Sequence, residues 1–214
     1  NNKVIYVEAH ADLDVTKVVD KAVKILDGKT IGLVTTIQHI RELPKAREIL
    51  ENHGKKVVIG GQVLGCDQTN AGKIKDTADE FLLIGPGPFH GLGAMYATGK
   101  QVLLADPYTG TVEGIDPVRA EKEKYLRKSK AMNASAYGIV VGAKPGQKNL
   151  AVAEKILQRL KKDRKKAHII IMNEITPERL DYLPFDAYIV TACPRIVIDD
   201  WKNYKKPILL PEEL

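Results

Sequence analysis

DEFLLIG, residues Asp79–Gly85, returns 107 positions later as DAYIVTA, residues Asp186–Ala192. Each is a run of apolar β-formers introduced by an aspartate and closed by a small residue, the pattern of a short buried strand. The correspondence extends outward. Gly32 in IGLV matches Gly138 in YGIV at an offset of 106, and Ile49-Leu50 matches Ile156-Leu157 at 107. Lys100 in KQVLLADP matches Lys206 in KPILLPEE, again at 106. Between the matched strands lie apolar residues at helical spacing. Each copy therefore reads strand–helix–strand–helix–strand–helix–strand. Alternation of that kind calls for a parallel sheet with helices on its faces. The fold class is α/β: two repeated Rossmann-like domains, each a small parallel sheet flanked by helices. The first spans residues 1–115 and the second 116–214.

The elements follow from the pattern. Val4–Ala9 reads as a strand, and Leu13–Leu26 as a helix with Asp12 or Asp14 as its cap and Gly28 at its end. Strands are expected at Ile31–Thr36, Val57–Gly60, Glu80–Ile84 and Gln101–Ala105. Helices are expected over Ile40–His53, Asn70–Thr77 and Gly91–Thr98. YTGTVEG then reads as a loop before the helix Val118–Asn133. The second copy has strands at Ala136–Val141, Ala167–Met172, Ala187–Thr191 and Pro207–Leu210. Its helices fall at Asn149–Lys162, with Ala151, Ala153, Ile156, Leu157 and Leu160 inward, then Thr176–Tyr182 and Ile196–Tyr204. An aspartate-capped helix, begun by Asp116, links the last strand of the first copy to the second. Val4–Ala9 stands in the same relation to the helix Leu13–Leu26 and the strand at Ile31. It therefore reads either as the closing strand of a preceding repeat or as an additional strand of the first sheet.

Composition narrows the class. Of 214 residues, 44% are hydrophobic and 28% charged, which is globular. No apolar run approaches the roughly 20 residues of a bilayer span, and no signal-peptide pattern is present, so a cytoplasmic protein without membrane contact is expected. Two cysteines make no disulfide framework. The net charge is +6 and the densest basic run is Arg159–Lys166, RLKKDRKK. Aromatics are 6% of the chain and none interleaves with that run. It reads as a solvated helix terminus with cations at the favourable end of the dipole, and direct nucleic-acid binding is not expected.

Both cysteines follow strands. KVVIGGQVLGC, residues Lys56–Cys66, breaks at Gly60-Gly61 and delivers Cys66 through a glycine turn; Cys193 follows AYIVT and precedes Pro194-Arg195. The carboxyl ends of parallel strands are where open α/β sheets keep their sites. Two readings stand: thiols buried in the core, or soft ligands suited to an iron–sulfur cluster or zinc. No C-x-x-C pair marks a zinc ribbon. In Gly85–Gly93, GPGPFHGLG, His90 is a ligand-binding or acid–base candidate, or a structural histidine. Arg195 can clamp a carboxylate or pair with Asp199 or Asp200. Gln62 can bond a ligand or cap its turn, and Asp106-Pro107-Tyr108 reads as turn chemistry.

GGQVLGCD around Cys66, LLIGPGPFHGLGA around His90, LLADPY around Asp106 and VTACPRIVIDD around Cys193 resemble the archaeal diphthamide-biosynthesis enzymes, the 2-(3-amino-3-carboxypropyl)histidine synthases. The resemblance runs from Val4 to Leu214. It implies three related domains around a cavity, each giving one cysteine to a 4Fe-4S cluster that binds S-adenosylmethionine. It implies reductive release of a 3-amino-3-carboxypropyl radical and its attack on a histidine of elongation factor 2. It also implies a homodimer served by an electron donor. Cys66 and Cys193 would be two of the three cluster ligands, with Gln62, His90 and Arg195 on the cavity wall. The chain would match the second and third domains and be incomplete and inactive alone. Alternatives are an iron–sulfur enzyme resembling quinolinate synthase, and a two-domain small-molecule binding module without a cluster.

Overall fold

The structure is a computed structural model that describes residue 5 and residues 7–214. They fall into two compact units, Asn1–Pro117 and Val118–Leu214. Of the expected strand Val4–Ala9, residues 4 and 6 lie outside the described residues. Residues 5 and 7–9 have no regular structure, and Ile5 and Val7 are exposed.

The first unit opens with α1 (Thr16–Val23), shorter than its periodicity predicts. The Asp14 carboxylate accepts the Thr16 N–H at 3.0 Å and the Thr16 hydroxyl at 2.6 Å, and it pairs with Lys45 at 2.7 Å. These partners, Lys45 foremost, hold its carboxyl well below the usual range. Then come β1 (Thr30–Thr35), a 3-10 stretch at Ile37–Glu42, α2 (Leu43–Asn52) and β2 (Lys56–Gln62). The expected helix at Ile40–His53 thus starts as a tighter coil, with Pro44 in the first turn of α2, where its missing N–H costs nothing. The unit continues with α3 (Thr69–Ile74), β3 (Glu80–Ile84), α4 (Pro88–Thr98) and β4 (Val102–Asp106). The expected loop YTGTVEG instead contains β5 (Thr111–Gly114), antiparallel to β4 with Ala105 opposite Val112. Asp106 closes the hairpin by accepting the Tyr108 N–H at 2.8 Å, and β-branched Thr111 and Val112 then suit an edge strand. The sheet order is β2-β1-β3-β4-β5, the first four parallel.

The second unit repeats the plan as α5 (Pro117–Ala131), β6 (Ala136–Gly142), α6 (Leu150–Lys162), β7 (Lys166–Met172), α7 (Pro177–Asp181), β8 (Ala187–Val190), α8 (Arg195–Ile198) and β9 (Ile208–Leu209). Its parallel order β7-β6-β8-β9 matches the first four strands of unit 1. Two expectations fail in detail. Ala151 is exposed while Ala153, Ile156 and Leu160 are buried, because the apolar stripe of α6 begins later along the helix. The helix expected at Ile196–Tyr204 divides into α8 and a 3-10 turn at Trp201–Asn203, broken at Asp199-Asp200.

The repeat is also physical. Gly32 lies opposite Phe81 and Gly138 opposite Tyr188 on neighbouring strands. A Cβ on either glycine would sit 2.6–2.7 Å from the facing ring, so each glycine makes room for one large aromatic. Asp79 accepts the Lys29 and Thr30 N–H groups at 3.0 and 2.8 Å, and Asp186 accepts those of Ser135 and Ala136 at 2.9 Å each. Lys55 reaches back to the Leu26 and Gly28 carbonyls, and Lys165 to that of Ala134. In unit 1, α1 and α2 pack on one sheet face around Leu33, Leu50 and Leu82. In unit 2, α6 covers one face with Ile139, Ile156 and Ile189. The other face buries Tyr188, Leu180 and Val197.

Candidate functional site

Each sheet reverses direction at its first strand: β1 is flanked by β2 and β3, and β6 by β7 and β8. Such a switch point opens a crevice at the carboxyl ends of the strands. Both cysteines lie at those ends of their own sheets.

Cys66 tips a tight loop four residues beyond β2. Leu64 and Asp67 exchange backbone hydrogen bonds at 2.9 and 3.1 Å and leave Gly65-Cys66 at the turn. Asp67 then accepts the Thr69 N–H at 3.1 Å and starts α3, and the Thr69 bonds hold its carboxyl below the ordinary value. The loop is seated on α4. A Cβ on Gly65 would lie 1.7 Å from the Phe89 ring, so only glycine permits this approach. Gln68 donates to the Leu64 carbonyl and, at 3.4 Å, to that of His90. The Cys66 side chain is exposed and its thiol free of any disulfide.

His90 stands in the first turn of α4, not in a turn preceding it, because Pro88 starts the helix three residues earlier than expected. Its ring meets Phe89 edge to face at 5.7 Å. Gln62 ends β2, half-buried, and its carbonyl accepts the Asn70 amide at 2.8 Å. The Asn70 and Gln68 side chains thus tie the backbone at Gln62 and at His90 to the loop that carries Cys66.

In unit 2, Cys193 is half-buried and free, three residues beyond β8. Its carbonyl accepts the Ile196 N–H at 3.2 Å and opens α8. The Asn149 amide, entering α6, donates to the Thr191 carbonyl at 2.7 Å and ties the loop after β6 to the strand end bearing Cys193. Arg195 pairs with Asp199 at 2.6 Å, one of the two structural partners expected for it. Asp199 raises the guanidinium pKa most, and the neighbouring Cys193 adds to it.

Sequence reasoning missed a cluster at the end of β1. Thr36 and His39 are 3% and 1% exposed. Neither the Thr36 hydroxyl nor either ring nitrogen of His39 has a hydrogen-bond partner among the described residues. His39 stacks edge-on against Tyr108 at 5.5 Å. Nothing in TTIQH signals this, since Tyr108 reaches the ring from the β4–β5 hairpin.

Among the described residues, no group of three His, Cys, Asp or Glu side chains could hold a metal ion. Two free thiols suit iron–sulfur chemistry in kind and supply part of a cluster's ligand set. No helix among the described residues is long and apolar enough to cross a membrane.

The family model for diphthamide synthesis proteins matches residues 1–214. The chain is 39% identical over 221 residues to a 2-(3-amino-3-carboxypropyl)histidine synthase of Pyrococcus horikoshii, covering 98% of this chain and 64% of that protein. It is 32% identical over 193 residues to the Methanocaldococcus jannaschii protein of the same name, covering 87% and 51%. The crystal structure of Dph2 from Pyrococcus horikoshii with a 4Fe-4S cluster superposes with a TM-score of 0.88 at 39% identity, over 96% of this chain and 63% of that one. The chain therefore spans less than two thirds of the length of these relatives.

Proposed function

Because the chain belongs to the family of diphthamide synthesis proteins, we propose that it forms part of an enzyme that transfers a 3-amino-3-carboxypropyl group from S-adenosylmethionine to a histidine of elongation factor 2, and that these 214 residues alone do not turn over. Residues 1–115 and 116–214 are the two repeats that carry the site. Cys66 and Cys193 are the ligands this chain gives to a 4Fe-4S cluster. The observation that carries the reading is the placement of the only two thiols. Each is free, and each sits beyond a parallel strand at the carboxyl edge of its sheet, the edge where open α/β sheets keep their sites.

A cluster held by Cys66, Cys193 and a further ligand would supply the electron for reductive cleavage of the sulfonium. The chain's residues bind and orient. Arg195 brings a cation to the Cys193 edge, suited to the carboxylate of the methionyl moiety. Gln62 and His90 offer polar groups at the Cys66 edge. The protein works as a cytoplasmic homodimer served by an electron donor. Family membership favours this reading over a cluster-free binding module or quinolinate-type chemistry.

The test is transfer of label from carboxyl-labelled S-adenosylmethionine to elongation factor 2, using the gene product purified and reduced without oxygen. Label on the factor is expected, and its loss in Cys66→Ser and in Cys193→Ser. Undiminished transfer by both variants would overturn the ligand assignment.

A further inference from the structure

Charge is divided unequally. Val118–Leu214 holds 20 Lys and Arg against 12 Asp and Glu, while Asn1–Pro117 holds 13 against 15. Within the second unit the excess gathers where the strands begin, opposite the edge that carries Cys193. The repeat acts as an internal control for what those cations do. Lys165 and Asp186 have counterparts in Lys55 and Asp79 and make the same backbone bonds, so they belong to the fold. The helix-to-strand connection is what differs. Ile49 and Ile156 correspond at an offset of 107, but β2 and β7 begin at Lys56 and Lys166, an offset of 110. The second unit has three more residues there. In place of the balanced charges of Glu51–Lys55 it presents Arg159, Lys161, Lys162, Arg164 and Lys165 against Asp163 alone.

The run begins as the helix terminus expected from the sequence, with Arg159, Lys161 and Lys162 in the last turn of α6, and continues beyond it. α6 stops at Lys162, and Arg164 adopts a left-handed turn at φ 58° that carries the chain around the edge. Lys161, Lys162, Arg164 and Lys166 are exposed, and no ion pair or side-chain hydrogen bond is found for them among the described residues. Lys128, in the last turn of α5, stands before β6 at the same end of the sheet. Tyr182, which follows α7 and precedes β8, stands at the same end of the sheet and is 89% exposed. Asp163, Asp181 and Asp186 lie at this end too, with Asp181 paired to Lys205 and Asp186 holding the Ser135 and Ala136 N–H groups, so cations remain in excess. A surface so rich in lysine is unlike a protein–protein interface, whose core is depleted in lysine. It fits a phosphate backbone, and an exposed aromatic ring offers a stacking surface for an unpaired base. The seven residues of β7 span about 23 Å, so this face is far from the Cys193 edge.

We propose that the amino-end face of the second unit, built on Lys128, Lys161, Lys162, Arg164, Lys166 and Tyr182, binds single-stranded RNA without sequence preference. The choice of RNA over DNA rests on the proposed translation-factor substrate.

The test is fluorescence anisotropy of the whole protein with a labelled 20-nucleotide uridine RNA. Five phosphate contacts give a log–log salt slope of about −3.5, so affinity should fall about 100-fold between 50 and 200 mM salt. Lys161→Glu/Lys162→Glu/Arg164→Glu should reduce that slope by about 2. The corresponding glutamine variant should do the same if charge, not folding, is responsible, with unchanged circular dichroism in both. Tyr182→Ala should weaken binding while leaving the slope intact. An equal charge change at Lys144, Lys148 and Lys155, away from this face, should leave the slope within about 1 of wild type. The proposal falls if RNA does not bind at 50 mM salt, or if the control variant loses as much as the edge variant. It also falls if polyglutamate competes as well as RNA, or if a thymidine DNA or a duplex binds more tightly. Transferase activity is not read in this test, so failure here leaves the proposed chemistry standing, and failure of the chemistry leaves this result.

Discussion

His39 shows how one residue can set acid stability. Burial lowers its pKa from the ordinary 6.5, against the opposing pull of Asp106 and Glu42. The unfolded chain takes up a proton as pH falls through about 6.5, and the folded chain resists until lower pH. Stability is therefore full above that value and is lost as pH drops below it. We predict a melting temperature that declines from about pH 7 to about pH 5, and a flatter profile in His39→Phe, which keeps the ring contact with Tyr108 and removes the two unpartnered nitrogens. Calorimetry at both pH values checks this; equal slopes would show that His39 is not the responsible group. Arg127 and Glu213 are 4% and 2% exposed and pair with each other. Arg127→Met should cost roughly 3–5 kcal/mol by stranding a buried carboxylate. Adding Glu213→Leu should restore much of the loss, measurable by urea denaturation. A double variant as unstable as the single one would mean that lost packing, not the stranded charge, dominates.

At the scale of elements, strands were legible wherever β-branched and aliphatic runs met Asp, Gly or Pro punctuation, as in β1, β3, β4, β6 and β8. β5 was not, because Thr109-Gly110 reads as a loop, and only pairing with β4 makes Thr111–Gly114 a strand. The start of α4 was misplaced because GPGP carries turn residues, although Pro88 is also well suited to a first helical turn. That each cysteine follows a parallel strand was legible from position along the chain. The seat of the Cys66 loop on Phe89 was not, since it is a tertiary contact. Gly65→Ala should therefore unseat that loop while sparing the sheet. We predict unchanged far-ultraviolet circular dichroism and at least about tenfold weaker iron retention after anaerobic reconstitution, in line with the loss of a positioning partner at a metal site. Full retention of iron would remove the loop from the site.

At the scale of the molecule, one plan is used twice with different outcomes. The same strand order, the same glycine-under-aromatic contact and the same aspartate cap recur. Yet Cys66 follows the second strand of its unit and Cys193 the third of its own. The frame recurs, and the two thiols occupy non-equivalent places on it. The proposed chemistry requires both to serve one 4Fe-4S cluster. The direct measurement is iron and acid-labile sulfide content with Mössbauer spectra of the gene product, handled without oxygen, beside Cys66→Ser and Cys193→Ser. The account predicts that each substitution lowers bound iron and alters the cluster signal. Wild-type iron content and spectra in both variants would contradict it.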